Sequence, residues 1–323
     1  MHNKSFISLL LLASIGSILL SLTMGSTPLP LSSVWQALFE PATTTSDMII
    51  SQLRLPRVLS GFAVGALLAL AGTLMQVLIR NPLADPYILG ISGGASVAAL
   101  LSMLAGLGGL WLSGSAFIGA LLAMLLVFGL AHRGGSWTST RLLLTGVVMA
   151  AGWGALISFI LVTSPERQLH GMLFWLMGDL GYVQQTWPLY LVLVIGLLLS
   201  LNIARHLNVL SFGELTARSL GVQSNRLYYQ LYLLASLLTA SAVTQAGSIG
   251  FVGLVVPHLV RMAGFSDHRV LIPAAALSGG ILLVLADTLA RILVAPQQLP
   301  VGVITALIGV PVFLYLLSRS SMK

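Results

Sequence analysis

Residues 58–79 read VLSGFAVGALLALAGTLMQVLI, an uncharged run without a proline. A helix of roughly 20 apolar residues crosses the hydrocarbon core of a bilayer, and in hydrocarbon every backbone N–H and C=O must find a partner within the segment. This stretch meets both demands only as a membrane-spanning helix. Gly61, Gly65, Ala69 and Thr73 recur every four residues along it, a small-residue face that lets a second helix approach closely.

Working outward, comparable apolar runs occupy 6–24, 91–112, 115–131, 142–162, 188–204, 227–247, 249–264, 270–294 and 299–317. With 58–79 they make ten. The whole chain of 323 residues is 57% hydrophobic and 7% charged, where a soluble domain carries about 25% charged residues. A transmembrane barrel would show short alternating segments instead. The expected fold class is all-α: a polytopic membrane protein with about ten transmembrane helices, residues 1–323 forming one transmembrane domain. The semi-polar stretch 169–183, with Trp175, Tyr182 and Trp187 in or near it, reads as an interfacial or re-entrant helix, because aromatic belts sit at headgroup depth. Lys4 followed by 6–23 has the outline of a secretory signal. The length of the apolar run and the poor cleavage site at Met24-Gly25-Ser26 favour a retained first span.

Ten spans put both termini on one side. If that side is cytoplasmic, the inner segments hold Lys4, Arg80, Arg133, Arg141, Arg205, Arg218, Arg226, Arg261, Arg269, Arg319 and Lys323. The outer segments hold Arg54, Arg57, Arg167 and Arg291. Lys and Arg accumulate on the cytoplasmic side, so both termini are expected there. The net charge of +7 comes from these scattered residues and forms no basic stripe, which excludes a nucleic-acid partner. Spans two to five and seven to ten would run in opposite senses, the arrangement of inverted transporter repeats.

Several chemistries are missing. There is no GxxxxGK[ST], and lysine occurs only at 4 and 323, so no P-loop lysine is available. No HExxH, no helical histidine pair and no cysteine is present; catalytic residues, metal ligands and cofactors are all expected to be absent. Asp287 and Arg291 are four residues apart near the outer end of span nine. Such an acid at membrane depth would suit a gradient-driven secondary transporter, but pairing with Arg291 is the simpler reading. Arg54 and Arg57 precede span two on the same outer face as Arg291. They either snorkel to headgroups or receive acidic groups of an external partner. In the inner loop, Gly213, then Glu214 to Leu220, then Gly221 describe a short amphipathic helix, either a connector or a segment shaped for a partner's groove. Asn81 to Pro86, followed by Gly90 to Gly94, specifies a non-helical turn that could also gate a pore.

Taken in order, these segments resemble the FecCD family, the permease subunits of ABC importers for ferric siderophores, haem and vitamin B12. The motifs are Arg54-Leu-Pro-Arg57, Asn81-Pro-Leu-Ala-Asp-Pro86, Leu89-Gly-Ile-Ser-Gly-Gly94 and Ser139-Thr-Arg-Leu-Leu-Leu144, then Gly213-Glu214 to Leu220-Gly221. Gly250-Phe-Val-Gly-Leu-Val-Val-Pro-His258, Asp267-His-Arg269 and Leu299-Pro-Val-Gly302 complete the series. The resemblance implies a non-enzymatic permease in a bacterial plasma (inner) membrane, working as a homodimer or with a homologous permease. Two ATP-binding cassette ATPase subunits would bind on the cytoplasmic side, and a periplasmic or surface substrate-binding protein on the other. By motif position, Arg54, Arg57 and Arg291 would receive acidic residues of the binding protein. Asn81 and Leu83 would form one cytoplasmic gate, and Ser139 and Thr140 the other. Residues 206–222, with Leu210, Gly213, Glu214, Leu215, Ala217, Arg218, Leu220 and Gly221, would couple to the ATPases. ATP turnover there would drive alternating access. A ferric siderophore is the first expected cargo, with cobalamin and haem close behind. The resemblance attaches no role to Pro257, His258 or Arg261.

Overall fold

The computed structural model describes residues 3–25, 27–40, 44–132, 139–183 and 185–320. Arg133 and Lys323, counted above among the inward charges, lie outside them, as do the side chains of Ser139, Tyr182 and Arg319. Every regular element among the described residues is helical.

The stretch that decides the fold class is also the centre of the molecule. Helix α4 (Leu55–Ile79) follows α1 (Asn3–Thr23), α2 (Leu31–Phe39) and α3 (Thr45–Met48). A π-helical turn, Ile49–Arg54, joins α3 to α4, so Thr45–Ile79 is one helical run of 35 residues. Pro56 lies in the first turn of α4, where a proline is well tolerated.

Helix α4 is surrounded by α11 (Ser224–Ala246), α12 (Val252–Met262) and α13 (His268–Ile292). The small-residue face explains the fit. A Cβ on Gly65 would overlap the Gly279 carbonyl of α13, and a Cβ on Gly72 would overlap the Gly253 carbonyl of α12. Helix α1 packs against α13 through a seam that holds the buried Ser14, Ser17 and Ser21.

Seven of the described helices are long and apolar enough to cross a membrane. Three of the expected spans become shorter apolar helices: α5 (Ile91–Leu104), α12, and the apolar part of α14 (Val301–Ser320). Expected span 91–112 ends early because Gly106 and Gly109 both adopt positive φ, which stops α5 and starts α6 (Leu110–His132). Expected span 249–264 is shortened by an extended strap over 247–250, so α12 has only 11 residues.

Helix α7 (Ser139–Thr163) leads to α8 (Glu166–Met177), a 3₁₀ turn over Leu180–Tyr182, α9 (Trp187–Leu210) and α10 (Glu214–Ser219). Trp175 of α8 is fully buried, with the strap at Gly247 pressed against its carbonyl, while Trp187 is exposed.

Candidate functional site

Two polar assemblies stand at opposite ends of α4, about 37 Å apart at 1.5 Å per residue. At its N-terminal end, Arg54 closes the π-helical turn and Arg57 lies in the first turn of α4. The last turns of α13 bring Asp287 and Arg291 to the same place. Arg57 takes Asp287 side-on, Nε at 3.0 Å and Nη2 at 2.9 Å from Oδ1, while Arg291 Nε donates to Oδ2 at 3.0 Å. Arg57 also donates to Gln298 Oε1 at 2.8 Å, and its Nη2 lies 3.4 Å from Asp179. Arg291 continues to Ser21 Oγ at 2.7 Å. Arg54 Nη1 donates to the Leu22 carbonyl at 2.8 Å and its Nη2 to that of Thr27 at 2.5 Å, which fastens the end of α1.

The snorkelling reading fails here, because Arg54 is only 6% exposed and Arg291 only 5%. Both instead line an open depression of about 550 Å³ together with Gln52, Arg57 and Gln298. Gly25 leaves room for the Arg54 guanidinium, since a Cβ there would lie 2.8 Å from Nη2. Three guanidiniums gather here against two carboxylates, Asp287 and Asp179, so the depression keeps a positive surplus suited to acidic side chains. Both Asp287 oxygens are engaged by guanidinium donors.

At the other end, Arg80 terminates α4 in the left-handed conformation, φ 55°, and the chain turns sharply. Asn81 Oδ1 accepts the Leu83 N–H at 2.9 Å, and Asp85 Oδ1 accepts that of Tyr87 at 2.8 Å. Burial pushes the half-buried Asp85 carboxyl up to about 6, against the opposing hydrogen bond from Tyr87. The turn is tied to the strap: the Tyr87 hydroxyl accepts the Ile249 N–H at 3.0 Å, and the Ser92 and Ser248 hydroxyls lie 2.9 Å apart. Asn81 is exposed and Leu83 half-buried; Thr140 is exposed at the start of α7. Among the described residues no hydrogen bond joins Asn81 or Leu83 to Thr140 of the other expected gate segment. They do come near: Gly146 of α7 packs against the Ile88 carbonyl, where a Cβ would overlap.

The expected coupling segment forms α10. Gly213 takes φ 108° and Gly221 φ 80°, conformations that L side chains avoid, so glycine brackets the helix at both ends. Leu210 and Ala217 are buried and anchor it. Leu215 is 85% exposed, and Phe212 and Leu220 stand out beside it. Glu214 pairs with Arg218 at 2.6 Å, as the i, i+4 spacing predicts, and also with Arg80 at 2.6 Å. Arg80 in turn donates to the Tyr228 hydroxyl and lies over the Tyr228 ring, 5.5 Å from its centre. The sequence did not single out Phe212 or Tyr228, nor the bond of Arg80 to Glu214; the only signals were an aromatic beside Gly213 and a charge directly before Asn81.

These features define a multi-pass, all-helical membrane protein with a basic depression at one end and a short helix with exposed apolar side chains at the other. The chain belongs to the FecCD transport family, whose model matches residues 10–319. It is 44% identical over 285 residues to a cobalamin import system permease, BtuC, of Halobacterium salinarum, covering 86% of this chain and 76% of that one. It is 42% identical to the hemin transport system permease HmuU of Yersinia pestis, covering 93% and 91%. Among solved structures, a metal-chelate type ABC transporter in an inward-facing conformation superposes with a TM-score of 0.85 at 30% identity, covering 98% and 99%.

Proposed function

We propose that this chain is the membrane-spanning permease subunit of an ATP-driven, binding-protein-dependent importer of organic metal chelates. It would act as a single domain over 1–323 in a bacterial plasma (inner) membrane. Ten crossings are proposed, the seven long helices and the three shorter apolar ones, with both termini cytoplasmic. In that orientation the arginine depression faces outward and α10 faces the cytoplasm.

The observation that carries the reading is α10. A six-residue helix that presents Leu215 at 85% exposure, with Phe212 and Leu220 beside it, while Glu214 clamps it to the end of the central helix, makes sense as a foot seated in a partner. Two ATPase subunits, one for each permease copy, are the proposed partners. Their movement would reach Arg80 through Glu214 and so the Asn81–Leu83 turn. Ser139 and Thr140 on α7 form the proposed second gate, closing against a second permease copy rather than within the chain. The substrate-binding protein would place acidic side chains over Arg54, Arg57 and Arg291. Cobalamin and haem lead the cargo panel, because the relatives are permeases for those two; a ferric siderophore remains in it. A gradient-driven carrier using Asp287 is disfavoured by the guanidinium donors on that carboxylate.

Co-purification tests the coupling. Leu215→Asp with Leu220→Asp should leave the permease folded and strip the ATPase from it, because both side chains are exposed in the lone chain. Retention of the ATPase at wild-type stoichiometry would refute the role of α10.

A further inference from the structure

Between α9 and α11, beside the exit of α10, lies an open depression of about 390 Å³, walled by Asn202, His206, Gly221, Gln223, Arg226 and Gln230. The described residues that line it supply one guanidinium, one imidazole and three side-chain amides, and no carboxylate. Arg226 is exposed and, unlike Arg218 and Arg269, is met by no acid among the described residues. The side chains of Asn202, His206 and Gln230 likewise have no hydrogen-bond partner among them. A guanidinium without an acid, set among further N–H donors, suits an anionic oxygen group.

The surfaces that lead away from this depression are apolar. On α9, Ile195, Leu199, Asn202 and His206 are spaced four, three and four residues apart, which puts them on one helical face. On α11, Arg226, Gln230, Leu233 and Leu237 repeat that spacing. Ile195, Leu199 and Leu233 are each about half exposed. Both helices are long and apolar enough to cross the membrane, and they pack closely, since a Cβ on Gly196 would overlap Leu238. The depression joins the C-terminal end of α9 to the N-terminal end of α11. The polar ends of the two stripes therefore meet there, and their apolar parts both lie toward the membrane interior. A small anion from solution would use only the polar end. A molecule with an anionic head and apolar tails uses the whole groove, and basic pockets between membrane helices take such headgroups. A zwitterionic phospholipid fits less well, because no described carboxylate lines the depression to receive its cationic group.

We infer that this depression is a headgroup site for an anionic glycerophospholipid of the phosphatidylglycerol type. Its phosphodiester takes Arg226, His206 and the amides of Asn202 and Gln230, and its acyl chains follow the α9 and α11 stripes. Gly221, which follows α10, and Gln223, which precedes α11, form a further wall, so a seated headgroup bears on the exit of α10. Only the membrane crossing by α9 and α11 is needed for this site; neither the cargo nor the ATPase enters it.

Native mass spectrometry of the full-length chain in detergent, titrated with phosphatidylglycerol or with phosphatidylcholine of the same acyl chains, reads the site. One phosphatidylglycerol should be held about tenfold more tightly than phosphatidylcholine, and Arg226→Gln should abolish that preference, as loss of a bond to a charged group implies. Arg167→Gln, which removes an exposed cation of α8, should bind both lipids as the unaltered chain does. Should Arg226→Gln elute aggregated, His206→Leu with Gln230→Leu decides by the same criterion. Equal retention of the two lipids, or a preference unchanged in whichever of these variants folds, overturns the inference. So does displacement of the lipid by sodium phosphate, which makes a free anion the occupant. Loss of the ATPase but not of the lipid in Arg226→Gln overturns it as well, because the depression then belongs to that interface.

Discussion

Arg57 joins the first turn of α4 to α13 by gripping a carboxylate that is 1% exposed. Removing it leaves Asp287 with Arg291 alone. Leaving a buried charge unpaired costs about 3–5 kcal/mol; Arg291 still holds Asp287, so Arg57→Met should lower the stability of purified protein measurably but by less than that. Arg54 is different, because it caps carbonyls rather than a charge. Arg54→Gln should keep the fold and speed dissociation of the binding protein, read by surface capture at low salt. Asp85 is a third case. Its folded carboxyl titrates near 6, above the usual unfolded value of about 3.9. The unfolded chain therefore releases this proton first, and stability falls as pH rises from about 4 to 6. Asp85→Asn keeps the acceptor for the Tyr87 N–H and removes the charge, so it should melt higher than wild type at pH 7 and equal to it near pH 4. The spacing of Asp287 and Arg291 disclosed their pairing, and Glu214 with Arg218 likewise, because one helical turn is a local relation. The bonds of Arg57 to Asp179 and of Arg80 to Glu214 join distant segments, and no local pattern encodes them.

The elements follow from the chain with one systematic error. Apolar runs revealed which segments are helical, but hydropathy is blind to where a helix must stop inside a hydrophobic stretch. Gly106 and Gly109 divide what reads as one span, and the 247–250 strap takes the first two residues of another. By contrast the Gly61, Gly65, Ala69, Thr73 face was legible as a packing face, and the structure shows what it packs against. A side chain at Gly65 meets main chain rather than a movable side chain. Gly65→Val should therefore push α4 from α13 and cost at least the 1–3 kcal/mol typical of overpacking, seen as loss of monodisperse protein. Gly16, with open space around its Cβ, should accept the same change.

Across the whole molecule, helix α4 links both ends: its entry holds the arginine depression and its exit holds the Asn81 turn clamped to α10. Composition made the membrane class legible, and the motif order made the family legible, before any contact was known. The identity of the cargo was not legible, because the motifs that place the chain in its family map to the two ends and the packing core, while chelates differ in what would line the path between. The central claim is that motion at α10, driven by ATP, moves a chelate from the outer depression inward. Uptake into proteoliposomes holding this chain, its ATPase and its binding protein, offered labelled cobalamin, haem and a ferric siderophore with ATP enclosed or omitted, tests it most directly. The account predicts that one chelate accumulates only with ATP, and that Glu214→Gln reduces this uptake while shifting stability by no more than about 1 kcal/mol, since its ion pairs are exposed. Accumulation that ignores ATP and collapses with an ionophore would contradict it.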